Sequence, residues 1–412
     1  MPSPRLARWL ATISQLDPAR IELGLERTQA VFSRLSLPSI APTYVVAGTN
    51  GKGSVVRLID RALGLQGYRV GRYTSPHLVH FRERIAVDDE PLQDDAIADA
   101  FDAVEQARED TPLTYFEFTT LAALWAFSAE RCTARVLEVG LGGRLDAVNV
   151  VDADVAVVTN IGLDHQQWLG DTREQIGFEK AGVFRPARPA VIGDRCPPIS
   201  LPAHADKIGS VVRMRGVHFD LECKDTKTIW HGTDRRVAAI PGYTPEHHLD
   251  NVATALAALE VADRLDIDET SVAAWIEESQ APARQEQCEA LGRTWLLDVA
   301  HNTESVEALA ARLSSHVPGT IIIGVMRDKP VADMLRVLAP YASRWIAVGA
   351  HAPRAMTSAE LAARISSVTG KPALVAGSPV AGLRAAIRVT QPDEQIVVVG
   401  SFPVVGAVRA AL

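Results

Sequence analysis

The 412-residue chain holds only four cysteines, Cys132, Cys196, Cys223 and Cys288, with no CxxC pair among them. That scarcity argues against a disulfide framework and a zinc knuckle, and favours a reducing compartment. Positive charge is also short. With 42 Lys+Arg against 50 Asp+Glu the net charge is −8, so no protein-wide basic field exists to hold a nucleic-acid backbone, and any polyanion must be bound locally. Nowhere does an apolar run reach the length of about 18 residues that spans a bilayer. The opening MPSPRLARWLATISQLDPAR lacks the unbroken apolar core of a signal peptide. These absences predict a soluble, cytoplasmic protein with no nucleic-acid or membrane partner. What is present is ordinary globular composition, 47% hydrophobic and 22% charged, long enough for two or three domains.

Strand-like apolar runs at residues 43–48 (TYVVAG), 70–75 (VGRYTS), 134–140 (ARVLEVG) and 154–160 (DVAVVTN) alternate with helical periodicity, which predicts a parallel sheet flanked by helices. Five prolines between Pro186 and Pro202 break the pattern; residues 211–240 then read as short alternating strands, before a helix expected at 250–264. From Gly292 a second series begins: TWLLDVA, ESVEALAARLSSH, TIIIGV, a helix from Val331, RWIAVGA, a helix from Ser358, ALVAG, another helix and QIVVVGS. It predicts a second, smaller doubly wound domain. The stretch QAPAR at 280–284 is the expected boundary, giving domains 1–282 and 283–412. The fold class is thus α/β, a phosphate-loop parallel-sheet domain followed by a smaller Rossmann-like one.

Ligands of open parallel sheets sit beyond the carboxyl ends of the strands. Reading those positions in order gives GTNGKGS, TSPHLVHFRER, EVGLGGRLDA, NIGLDHQQW and then DVAHN, GVMRDKP and GSF. The first, Gly48-Thr49-Asn50-Gly51-Lys52-Gly53-Ser54, follows a strand and opens an amphipathic helix, the order of a P-loop. Glycines let backbone N–H groups converge on phosphate oxygens, a helix N-terminus adds partial positive charge, Lys52 adds a full one, and a hydroxyl can hold Mg²⁺. Spacing departs from the strict motif: Val46 stands where a glycine is required and Gly53 separates Lys52 from Ser54. NTP binding is the inference.

Phosphoryl transfer needs metal or cationic clamps, so ligands are sought on neighbouring strands. Glu138 lies inside the apolar run VLEVGLGG, where an unpaired carboxylate is costly and needs a cation. His165 follows VVTN in the loop IGLDH, and Ser75 closes VGRYTS; a structural His and a turn-forming Ser are the plain alternatives. Lys180, in FEKAGVF, reads by itself as a solvated helix residue. Arg82 and Arg84 suit either an acidic substrate or surface pairing. Gly142, Gly143 and Asp146 fit a backbone approached closely by a ligand, or a tight turn. In the second domain Asp298, His301 and Asn302 crowd a strand end, a helix N-cap explaining one of them, and Arg284 is a candidate phosphate clamp that domain closure would bring in. Asn251, expected at a helix start, either reaches a base or caps the helix.

Taken together, GTNGKGS, TSPHL, TYFEFTTLAALW, LEVGLGGRLDAVN, DHxxWLG, EKAGVFR and DVAHN resemble the folylpolyglutamate synthase and dihydrofolate synthase family, relatives of the Mur ligases, over nearly the whole chain. The resemblance implies a Mur ligase central-domain-like first domain and an ATP- and Mg²⁺-dependent amide ligase. Its substrates would be dihydropteroate, reduced folates and L-glutamate, and its intermediate an acyl phosphate. Carried over by position, Thr49, Asn50, Gly51, Lys52, Gly53 and Ser54 cradle phosphates, and Ser54, Ser75, Glu138 and His165 hold Mg²⁺. Lys180 matches the family's modified lysine, whose carbamylation turns a cation into an anion able to join a metal site. Lys52, Lys180 and His165 are the catalytic candidates; Asn251, Arg284 and Asp298 match adenine, phosphate and ribose contacts. The pterin side maps to Ile21, Glu22, Leu23 and Gly24, to Thr114, Tyr115, Phe116 and Glu117, and to Leu145, Asp146 and Ala147. A monomer is expected.

Departures from the family pattern are Pro282-Ala283-Arg284 followed by Gln285, Thr303 after DVAHN, and Gln166-Gln167 after Asp164-His165. They remove no ligand, and leave open a paralogue with a single activity or an altered substrate. A Mur-type ligase of a nucleotide-linked peptide would be expected to carry a UDP-binding domain of about 80 to 100 residues ahead of the P-loop, which this sequence does not show. A nucleotide-binding regulator without turnover is the reading from outside enzymology; loss of activity on mutating Glu138 would separate it from a ligase.

Overall fold

The computed structural model describes residues 2–16, 22–224, 227–234, 236–241, 246–267, 270–314, 319–350, 352, 354–392 and 394–412. Two compact units emerge, one running to Gln280 and a second comprising Ala281–Leu412 together with His77–His80.

The first unit is built on eight strands: β1 (Thr43–Ala47), β2 (Val70–Tyr73), β3 (Ile85–Val87), β4 (Glu90–Pro91), β5 (Ala134–Glu138), β6 (Val155–Val158), β7 (Pro189–Ile192) and β8 (Val211–Met214). Their order is β4-β3-β2-β5-β1-β6-β7-β8. β2, β5, β1, β6, β7 and β8 run parallel, and the hairpin β3–β4 is added antiparallel at one side. Both faces of the parallel portion are covered, which is why its strands read as continuous apolar runs. Val45, Ala47, Leu137, Ala156 and Val158 pack into one core, while Tyr44, Val46, Val136, Val155 and Val157 pack into the opposite one.

Three departures from the sequence reading have local causes. The hairpin β3–β4 escaped notice because strands of three and two residues are too short for alternation to register. Residues 211–240 divide: β8 completes the main sheet, whereas β9 (Asp220–Lys224), β10 (Lys227–His231) and β11 (Arg236–Pro241) form a separate antiparallel sheet. That small sheet is anchored by Trp230, fully buried, whose indole donates to the Ala253 carbonyl at 3.2 Å. The following helix is Glu246–Val261, so Asn251 lies within it and is not its cap.

The second unit has a six-stranded sheet in the order β12-β13-β17-β14-β15-β16. Its strands are β12 (Glu286–Ala290), β13 (Arg293–Asp298), β14 (Gly319–Gly324), β15 (Ala342–Val348), β16 (Ala373–Ala376) and β17 (Gln395–Gly400), parallel throughout except for β12. Every expected strand of this series is present; β12 is an addition. Alternate residues again serve two cores, Leu296, Ile321, Ile323 and Val397 on one face and Leu297, Ile322, Val398 and Ile346 on the other. No described helix is long and apolar enough to cross a membrane.

Polar order inside the first unit comes from an ion cluster. Arg72 on β2 bonds Asp60, in the helix Lys52–Leu65, and also Asp89 before β4, with Arg72 and Asp60 both almost fully buried. Burial pushes the Asp60 carboxyl up, and the Arg72 charge works against that shift. Removing one partner from such a pair strands the other in a low-dielectric interior, at a cost of about 3–5 kcal/mol. Arg72→Met is therefore expected to lower the urea midpoint by that amount of stability, and a loss below about 1 kcal/mol would show that the pair is not a buried one in energetic terms.

Candidate active site

Strand order decides what meets here. Because β1 lies between β5 and β6, the loops leaving their carboxyl ends are neighbours, and the register sets Val46 level with both Glu138 and Val157. Gly48 and Gly51 adopt positive φ (146° and 83°), the latter at the start of the helix Lys52–Leu65. A Cβ at Gly51 would lie 2.2 Å from Oδ1 of Asn251, so a side chain there is excluded by both backbone and neighbour, and Asn251 is brought directly against the phosphate loop. At Gly53 the nearest atom to a hypothetical Cβ is Oε2 of Glu138, at 3.4 Å. That same oxygen accepts from the Ser75 backbone N–H at 3.2 Å. Thus Gly53, Ser75 and Glu138 are brought together from three different strand ends.

Two ammonium groups serve one carbonyl. Lys52 Nζ donates to the Gly48 oxygen at 3.0 Å and to that of Thr49 at 3.1 Å, while Lys180 Nζ donates to the same Gly48 oxygen at 2.7 Å. Lys180 is 4% exposed, which corrects its reading as a solvated helix residue. Its helix, Arg173–Ala181, is started by a capping box between Thr172 and Gln175 and closely abuts the glycines of LGGRLDA. A Cβ at Gly143 would fall 2.9 Å from the carbonyl oxygens of Glu179 and Lys180, and the Arg144 N–H donates to the Glu179 oxygen at 2.8 Å. The close approach foreseen at Gly143 is therefore made by a helix end. Burial, and then the Lys52 charge, push the Lys180 amine down to about 7, against the pull of Asp164 and Asp146.

His165 follows β6 with a left-handed backbone (φ 53°), a conformation that costs a non-glycine residue about 1–2 kcal/mol and is concentrated at functional sites. Asp146 is buried and accepts the N–H groups of Leu141 and Val148 at 2.8 and 2.9 Å, shaping the turn that carries Leu145 and Ala147. Burial raises it to about 6 against those donors. Among the described residues no three of His, Cys, Asp and Glu converge into a metal cage. A single carboxylate beside the phosphate loop instead suits a cation that keeps water and shares phosphate oxygens, as Mg²⁺ does.

The aromatic segment starts with Thr114, the N-cap of the helix Tyr115–Ala129, in a capping box with Glu117. Glu117 accepts from the Thr114 N–H at 2.7 Å, from Thr28 Oγ1 at 3.0 Å and from Arg27 Nε at 3.0 Å, a structural role that the sequence reading did not assign. Arg84 is buried with its guanidinium 5.6 Å from the Tyr115 ring and 5.8 Å from that of Phe81, and Phe116 lies 6.1 Å from Tyr73. Arg82 donates to the Pro91 carbonyl. Glu22 is exposed and Leu23 and Gly24 are partly buried; Ile21 lies outside the described residues.

Within the second unit Asp298 ends β13, accepts the Ala300 N–H at 2.8 Å and is raised to about 6 by burial, with Arg284 pulling the other way. Arg284 stands 5.5 Å over the Phe402 ring. Asn302 is a helix cap, boxed with Ser305, and His301 Nδ1 meets the Val299 carbonyl at 2.7 Å. Ala283 and Gln285, the departures flanking Arg284, both have positive φ, 55° and 53°.

With this geometry in view, comparison with known proteins gives the class first. Residues 46–197 match the Mur ligase middle domain and residues 283–402 the Mur ligase glutamate ligase domain. The dihydrofolate synthase/folylpolyglutamate synthase of Escherichia coli K12 is 38% identical, with 99% of this chain and 95% of that protein covered. The chain belongs to the dihydrofolate synthase/folylpolyglutamate synthase family. Among solved structures, E. coli FolC in complex with DHPP and ADP superposes with a TM-score of 0.92 at 36% identity, covering 100% of this chain and 97% of that one. A bifunctional folylpolyglutamate synthase/dihydrofolate synthase with Mn, AMPPNP and L-glutamate bound gives 0.89 at 35% identity, covering 100% and 98%.

The depressed Lys180 amine has a signed consequence. Between about pH 7 and its ordinary 10.5 the folded chain binds fewer protons at this group than the unfolded chain, so this group's contribution to stability rises with pH across that window and is level below it. In CO₂-free buffer, urea unfolding should show wild type gaining stability relative to Lys180→Met over that range. A constant difference would contradict a buried amine.

Proposed function

We propose that this chain is an ATP-dependent carboxylate–amine ligase that joins L-glutamate to dihydropteroate and to reduced folates. The observation that carries the reading is the meeting of a phosphate loop, the Glu138 carboxylate and the Lys180 amine at the carboxyl ends of adjacent strands. It is supported by a chain similar over 99% of its length to a protein named for both activities. A substrate carboxylate oxygen attacks the γ-phosphorus, the bond from that phosphorus to the β,γ-bridging oxygen breaks, and ADP leaves. The glutamate amino nitrogen then adds to the acyl carbon, loses a proton and expels inorganic phosphate.

In this reading Asn50, Gly51, Lys52, Gly53 and Ser54 form the cradle, with Thr49 in its frame bonded back to the loop after β6, Lys52 countering phosphate charge, and Asn251, Arg284 and Asp298 hold the adenine, a phosphate and the ribose. Ser54, Ser75, Glu138 and His165 would hold Mg²⁺, which when bound draws negative charge from the transferring phosphoryl group. Thr114, Tyr115 and Phe116, with Leu145, Asp146 and Ala147 and the segment Ile21, Glu22, Leu23 and Gly24, form the pterin side, and Glu117 fixes that turn. Tyr115 and Phe116 offer flat faces to a flat ring. An amine near pH 7 in acidity has a neutral fraction able to attack CO₂, releasing a proton and leaving a carbamate at Lys180. The protein would act as a cytoplasmic monomer, with residues 1–282 as the ATP-binding domain and 283–412 as the ligase domain.

The test is phosphate release with ATP, Mg²⁺ and L-glutamate, offered dihydropteroate or tetrahydrofolate in turn. Turnover is expected with each; silence with both would overturn the reading, and response to one alone would make the chain a monofunctional relative. Glu138→Gln should reduce turnover at least about a hundredfold. Native mass spectrometry in bicarbonate should show a gain of one CO₂ that Lys180→Met abolishes.

A further inference from the structure

The phosphate loop and the loop bearing His165 are tied to each other by several hydrogen bonds. The Thr49 N–H donates to the Asn160 carbonyl at 2.9 Å, and the Asn50 N–H to the Asn160 side-chain oxygen at 2.8 Å. Thr159 Oγ1 donates to the Asn50 carbonyl at 2.6 Å. From its other side the same segment is braced by Asp194, which accepts the Ile161 N–H at 2.9 Å, and by Arg173, which donates to the Ile161 carbonyl at 2.8 Å. Those braces end at Ile161. The next residue, Gly162, is held by one side chain: Thr49 Oγ1 accepts its N–H at 2.9 Å and donates to its carbonyl at 3.3 Å.

A hydroxyl has one proton to give, and here it goes to Gly162, while the backbone N–H of Thr49 goes to Asn160. Both donors of this residue therefore face the loop after β6. Three residues beyond Gly162 the chain reaches His165 in its left-handed conformation, so the placement of Gly162 bears on where the loop sets His165.

We infer that Thr49 is a positioning residue, whose hydroxyl clamps Gly162 and thereby sets His165 for the metal. This rests on the reading of His165 as a metal ligand given above. The inference makes a demand on side-chain chemistry. Serine at 49 keeps both bonds, valine keeps the shape and loses both, and neither change removes a metal donor.

The test uses the whole chain and two readouts that do not depend on turnover. The first is amide hydrogen exchange of residues 160–165 in the ligand-free protein; the second is Mn²⁺ affinity in the presence of a non-hydrolysable ATP analogue, read by electron paramagnetic resonance. Thr49→Val should speed exchange in that segment and weaken Mn²⁺ binding about tenfold, the scale of lost outer-sphere support. Thr49→Ser should do neither. In a His165→Ala background, Thr49→Val should weaken Mn²⁺ no further, because two residues acting through one contact are not additive. Should Thr49→Val fail to fold, Thr49→Ala poses the same question. The inference is overturned if Thr49→Val weakens the nucleotide analogue alone, or if its effect on Mn²⁺ persists undiminished without His165. If His165→Ala by itself leaves Mn²⁺ affinity unchanged, the metal assignment fails, and this inference with it; that outcome is visible in the single variant.

Discussion

The Gly48 carbonyl accepts from both Lys52 and Lys180, and the geometry of the first unit is organised around that shared oxygen. Two like charges held by one neutral acceptor repel, and one of them is sealed from solvent. Such an arrangement is stable only when negative charge is supplied nearby or when one amine gives up its proton. Asp146 and Asp164 supply part of what is needed, and the Lys180 amine, pushed down to about 7, gives up its proton far more readily than an ordinary lysine. The glycines, the helix N-terminus and the strand order bring those two nitrogens together at the carboxyl end of β1. The protein as a whole carries a net negative charge, so this concentration of positive charge is local by construction.

Much of this is legible in the sequence. Strands buried on both faces announce themselves as unbroken apolar runs, and their carboxyl ends can be read off directly, which is how Ser75, Glu138 and His165 were located. Lys180 could not be found in that way. Its burial follows from Gly143 meeting the end of the Arg173–Ala181 helix, a contact between segments far apart in sequence that leaves no local periodic trace. The role of Glu117 was legible and overlooked, since Thr114-x-x-Glu117 ahead of an apolar stretch is the spacing of a capping box. Its ties to Arg27 and Thr28 were not, because nothing in either segment announces the other. Asn251 is misplaced by the ordinary difficulty of helix starts: the polar residues Glu246, His247 and His248 open the helix before its first apolar position, Leu249. The residues with which the loop after β6 holds the phosphate loop, Thr159 and Asn160, stand in plain view at a strand end but are of types too common there to single out.

The two units solve a common problem with the same device. Asp146 lies in the loop after a parallel strand and Asp298 ends one; each is buried, Asp146 accepting two backbone N–H groups of its turn and Asp298 that of Ala300. A carboxylate in that position costs desolvation, seen in both being raised to about 6, yet it fixes the path of a loop that no apolar contact could specify. Loops after strands are where ligands are met, and these are held by charge-assisted bonds rather than by packing.

The hairpin β3–β4 has a bearing on how the protein behaves in company. The outer strand at that margin is two residues long and ends in Pro91, which has no N–H to donate, and it pairs through Ala86 and Val87 to the rest of the sheet. A long parallel sheet would otherwise present a ladder of open donors and acceptors there, a template on which another chain could grow. Finishing the margin with so short and donor-poor a strand leaves no length for a neighbour to copy, so that border is closed to fibrous self-addition.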